Sequence, residues 1–168
     1  MVDGGAVSVN TFALTKQSNN SYFKTAGMGM TPADLDFDSD NSNWSVGGAG
    51  SVPAFTYNHS VAFPDFTGTV PDSIPRANAL TVSLSGKVSN ADSVILLVAA
   101  GSTSVYRTVA GTASSVSIPA ADLATLPMVT NKSAIVEVVP YRVTVSTHGG
   151  KHYAFIKEYA AVKSVNVN

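Results

Sequence analysis

The sequence predicts an all-β protein: an antiparallel β-sandwich of the immunoglobulin-like type over residues 73–168, with an additional N-terminal β-rich module over residues 1–72. Three observations carry this reading. Apolar residues alternate with Ser and Thr along much of the second half, as in Leu80-Thr81-Val82-Ser83-Leu84, which is the period of a half-buried strand. Gly- and Asn-rich turn signals separate short runs of β-formers, while Lys and Glu are sparse. The run Val94-Ile95-Leu96-Leu97-Val98-Ala99-Ala100, led in by Asn90-Ala91-Asp92-Ser93 and stopped by Gly101, is too short to span a bilayer. Its branched side chains read as a strand covered on both faces, the centre of a core. No repeat of fixed period is visible, which disfavours a propeller or solenoid.

The elements follow in order. Val7 and Val9 alternate with polar residues, then Phe12 and Leu14 resume on the opposite phase, so a bulge or tight bend is expected near Asn10-Thr11. Residues 17–21 are turn chemistry, and Tyr22-Phe23 can return as the second strand of a hairpin. Trp44-Ser45-Val46 precedes the turn Gly47-Gly48-Ala49-Gly50, after which residues 51–57 can pair back. Pro64, Pro71 and Pro75 make residues 63–75 a stiff link or an edge segment, because proline fixes φ and removes ladder donors.

Strands are expected at residues 80–85, 94–100, 105–109 and 115–118. Residues 119–127 are the helix-like run of this half, with Leu123 and Leu126 spaced to face one side and plug one end of the sandwich. Residues 135–146 and 152–167 form a long hairpin around Gly149-Gly150, a pair suited to the positive φ angles of a type I′ turn. On its first strand Tyr141, Val143 and Val145 are expected to face inward and Arg142, Thr144 and Ser146 outward.

Composition bounds the function. With 45% apolar and 12% charged residues the chain has the balance of a folded protein. The 10 basic and 11 acidic side chains nearly cancel, so nucleic acid is excluded as an expected partner for want of a basic footprint. The absence of cysteine removes disulfides, thiolate catalysis and Cys-based metal sites. The Ser/Thr/Asn/Val-rich, Lys/Glu-poor surface is common in exported β-proteins. Met1-Val2-Asp3-Gly4-Gly5 shows no basic region leading into an apolar run. The expectation is a mature chain whose leader has been replaced by Met, exported to the cell envelope or outside the cell.

The order Gly4-Gly5-Ala6-Val7-Ser8-Val9-Asn10, Tyr22-Phe23, Trp44-Ser45-Val46-Gly47-Gly48, Val52-Pro53-Ala54-Phe55, Asn90-Ala91-Asp92-Ser93-Val94 and Ser117-Ile118-Pro119 with Leu123 and Leu126 resembles uncharacterised cell-envelope lipoproteins of Bacteroidetes-type bacteria. The resemblance implies export through a lipoprotein signal, with a lipid anchor before Met1, and an immunoglobulin- or fibronectin-like C-terminal half. The Cys pair and second-half Trp of antibody domains are missing. The resemblance carries no catalytic residues.

Three constellations carry chemistry. Asp34, Asp36, Asp38 and Asp40 alternate, so an extended backbone would line their carboxylates on one face, where a hard cation such as calcium could screen them. The same run also reads as a solvated acidic loop, and no other cofactor is expected. Trp44, Phe55 and Tyr57 could form an aromatic platform for a sugar ring, or fill a core. His148 and His152 would face each other across a three-residue loop, but not across a two-residue one. No nucleophile elbow or phosphate-binding turn occurs. The sequence therefore points to a non-catalytic protein whose partner is another protein or a glycan.

Overall fold

The computed structural model describes residues 1–24 and 40–168. The protein is all-β, and among the described residues its pairing is antiparallel except between β16 (Ala161–Val167) and β8 (Ser73–Ile74). It divides into two compact units, Met1–Ala62 with Thr144–Phe155, and Phe63–Val143 with Ile156–Asn168. The boundary read from sequence at 72/73 falls inside the second of these, and residues 144–155 belong to the first.

In the first unit β1 (Val7–Val9) and β2 (Phe12–Ala13) form a tight hairpin in which Val9 opposes Phe12. The expected bend is there: Asn10 takes φ 51°, a left-handed conformation that Asn tolerates better than most residues. Its backbone N–H donates to the Asn43 carbonyl and its side-chain oxygen accepts from the Asn43 N–H. Those two bonds tie the hairpin to β5 (Ser42–Val46), which pairs with β1 on one side and β6 (Phe55–His59) on the other. β3 (Thr15–Lys16) and β4 (Tyr22–Phe23) form the second small hairpin read from the sequence.

The second unit holds β12 (Thr103–Ala110), β11 (Ser93–Ala100), most of β14 (Val129–His148), β16 and β8, paired in that order; β15 (Lys151–Glu158), most of which belongs to the first unit, also pairs with β14. β8 lies at the edge, in the Pro-bounded segment where an edge was expected, and is parallel to β16. β9 (Leu80–Ser83) pairs with β13 (Ser115–Ile118), and β7 (Asp65–Phe66) with β10 (Val88–Ser89). Leu80, Val82, Val116 and Ile118 join Val94, Leu96, Val98, Val136 and Val138 in one buried cluster. The helix α1 (Ala120–Leu123) follows Pro119, and Leu123 and Leu126 enter the same cluster.

Three expectations are corrected here. β11 is covered on one face: Val94, Leu96, Val98 and Ala100 are buried, whereas Ser93, Ile95, Leu97 and Ala99 are half-exposed. On β14, Val143 and Val145 face solvent, at 37% and 60% exposure, while Thr144 and Ser146 are the more covered residues. The cause is parity. Ala134, Val136, Val138 and Pro140 fix the even positions as the covered face, and a strand without a bulge cannot change faces to suit its valines. The region read as one strand over 152–167 is interrupted at Tyr159-Ala160 into β15 and β16. The turn at Gly149-Gly150 has φ 55° and 75°, the left-handed pair that a two-residue hairpin needs.

Candidate functional site

The aromatic residues singled out in the sequence come together, though not as an open platform. Trp44 and Tyr57 oppose each other on β5 and β6, and Phe55 lies two residues before Tyr57 on the same face. That face meets the hairpin tip, residues 144–155. Phe55 stacks on the His148 imidazole at 4.0 Å between ring centroids, Tyr57 lies 4.3 Å from Phe155, and Trp44 lies 5.9 Å from Phe155. Trp44, Phe55 and Tyr57 are half-buried, and Phe155 is buried beneath them. Offset and tilted ring pairs of this kind each add about 0.5–1.5 kcal/mol beyond the area they bury, so the cluster is the packing core of its unit. One flank of Trp44 remains open, lining an apolar groove of about 270 Å³ with Phe12, Tyr22, Phe23 and Lys24.

His59 is the last residue of β6, 1% exposed, with Nε2 3.1 Å from the Thr144 hydroxyl. Thr144 reaches it because even positions of β14 face inward. His148 and His152 do not meet. The two-residue turn sends His148 against Phe55 and brings His152 Nδ1 to the Thr147 hydroxyl at 2.9 Å. Of the acidic run, Asp34, Asp36 and Asp38 lie outside the described residues, and Asp40 is exposed. Among the described residues no three His, Asp or Glu side chains gather to hold a metal.

A different carboxylate is organised. Asp3 accepts from the Gly5 N–H and the Tyr22 hydroxyl through one oxygen and from the Lys16 ammonium through the other. Lys16 first, then the Gly5 and Tyr22 bonds, hold its pKa down at about 2 against an ordinary 3.8. Because the folded value is the lower one, this contribution to stability is complete above about pH 4 and is lost as the pH falls toward 2. Asp3→Asn should therefore lower the melting temperature at pH 6, and the gap should narrow as the pH falls from about 4 through about 2. Melting curves of both proteins across that range check it; a gap that does not narrow contradicts the assignment.

A broad, partly exposed apolar surface belongs to the six-stranded sheet. Ile95, Leu97, Ile135 and Val139 stand half-covered on the face opposite the core, or exposed at its rim, with Tyr106 at 60% and Val162 at 54% exposure. Glu137 stands among them, between Leu97 and Val162 across the register. β12 ends the sheet on one side. An open trough of about 490 Å³ follows its edge, lined by residues 104–108 and by Asp122 of α1, which ion-pairs with Arg107.

Comparison of the chain with protein-family models, curated proteins and solved structures returns no match. Function must therefore be argued from these surfaces.

Sequence reasoning missed several of these features. Lys157 is 3% exposed, with its ammonium 4.3 Å from the Phe63 ring centroid. Its signal was the shared parity with Phe155 on β15, which puts both on one face. The half-exposed side of β11 had no signal, because an apolar run reads the same whether one face or both are covered.

Proposed function

We propose that the protein is a non-catalytic module, exported to the cell envelope, that works by binding a partner or by holding other components in place, with a larger unit of immunoglobulin-like kind. The observation that supports this reading is the outer face of the six-stranded sheet. Ile95, Leu97, Ile135, Val139, Tyr106 and Val162 form a broad, weakly charged surface of partly exposed apolar side chains, the character of a contact surface rather than of a reaction centre. The low overall charge and Ser/Thr-rich strands agree with an extracellular setting. Screening the purified chain against ester, peptide and glycoside substrates should give no turnover above buffer. A hydrolytic activity that disappears on substituting one carboxylate would overturn the proposal.

A glycan-binding role is a second reading, favoured by the groove beside Trp44. It differs from the aromatic platform in using Trp44 with Phe12 and Tyr22, since Phe55 and Tyr57 are turned against the hairpin tip. Trp44 is the single tryptophan, so its fluorescence reports on the groove directly. Oligosaccharides that leave its emission unchanged at millimolar concentration exclude this reading.

A further inference from the structure

We propose that two copies of this chain pair through β12, antiparallel about a two-fold axis at Tyr106. The proposal rests on the contact-module reading and names the partner of its surface. Its first support is the direction of the backbone. The Gly111 N–H donates to the Asp92 carbonyl, one step beyond the Ser93 and Ala110 partners that begin the β11–β12 register. Alternation then points the amides and carbonyls of Val105, Arg107 and Val109 at β11 and those of Ser104, Tyr106 and Thr108 away from it. Among the described residues no strand pairs with that outer side. An unpaired edge of this length is a ready template for another strand.

The second support is self-complementarity. With the axis at Tyr106, Ser104 falls opposite Thr108 of the other copy, Tyr106 opposite Tyr106, and Val105 opposite Arg107. Each outward-facing pair exchanges both of its N–H···O bonds, as an isologous interface requires. No like charges come into opposition, because the one charged residue of β12, Arg107, faces Val105 and is already neutralised within its own chain by Asp122. Apart from Arg107, β12 carries none of the usual edge protection: no proline, no lysine and no break in its register with β11.

The third support is continuity with the outer face. Tyr106, 60% exposed, sits on that face beside Leu97. Pairing brings the two tyrosines together as a cross-strand aromatic pair and joins the apolar faces of both sheets into one. One bond must first open: the Arg107 guanidinium donates to the Tyr106 carbonyl at 2.8 Å, and the partner's Tyr106 amide takes its place. Both copies use the same edge, so the isologous pairing consumes it and association through β12 closes at two copies.

Sedimentation equilibrium of the full chain tests this. The wild type should show a reversible monomer–dimer equilibrium. Tyr106→Lys, which sets two ammonium groups opposite each other at the axis, should raise the dimer midpoint about tenfold or more. Thr108→Pro should do the same by removing an outward-facing donor, and circular dichroism should show both variants folded. A wild type that stays monomeric to its solubility limit overturns the pairing, as does a dimer whose midpoint neither variant moves. Neither result touches the non-catalytic reading, which falls only to an enzymatic activity.

Discussion

Leu96→Asp is expected not to fold. Leu96 has no solvent exposure and sits at the middle of β11, between Arg107 on β12 and Val138 on β14, with Val94 and Val98 beside it on the same covered face. An aspartate there loses the buried leucine and places a carboxylate in an apolar layer, opposite an Arg107 whose guanidinium is already held by Asp122. Burial of an unpaired charge costs far more than the 5–15 kcal/mol that separates a folded domain from its unfolded chain. Even protonated, the acid would remain an unsatisfied polar group in an apolar layer. The milder Leu96→Ala leaves a cavity and should cost about 2–5 kcal/mol, read from urea unfolding. A soluble Leu96→Asp protein with wild-type melting would place the core elsewhere.

Gly111→Ala is expected to be the next most damaging change, for a reason invisible in burial. A Cβ at Gly111 would lie 2.0 Å from the Ala91 carbonyl oxygen and 2.7 Å from its carbon. Both are backbone atoms and cannot rotate away. Gly111 is also the residue whose N–H bonds the Asp92 carbonyl, so relief of the clash must open the start of the β11–β12 ladder. Overpacking of this kind costs about 1–3 kcal/mol, more where backbone must move. Gly86→Ala is the control, since nothing lies within 4 Å of its added Cβ; only its positive φ of 64° is strained there. Denaturant midpoints should fall further for Gly111→Ala than for Gly86→Ala. The reverse order would contradict the close approach.

The strands were legible wherever a simple alternation ran uninterrupted. Leu80 to Ser83 and Ser115 to Ile118 could be placed from period alone, and Gly149-Gly150 named its own turn. Errors arose where the covered face was decided at a distance. Val143 and Val145 look like core residues, but Val136 and Val138, several residues earlier, had already assigned the other parity to the core. The burial of His59 leaves no local signal, because the Thr144 hydroxyl beside it is supplied from 85 residues away. The aromatic residues were correctly grouped, yet their partners Phe155 and His148 lie far along the chain, and period cannot tell a platform from a core. The β12 edge was readable as a strand and unreadable as an edge, because edge position is a property of the whole sheet.

Amide hydrogen exchange measured at low and high protein concentration tests the proposed pairing through β12 most directly. Val105, Arg107 and Val109 donate into the β11 ladder and should be protected at every concentration. Ser104, Tyr106 and Thr108 should exchange rapidly in dilute solution and become protected as the concentration rises. Exchange at those three amides that does not depend on concentration would contradict it.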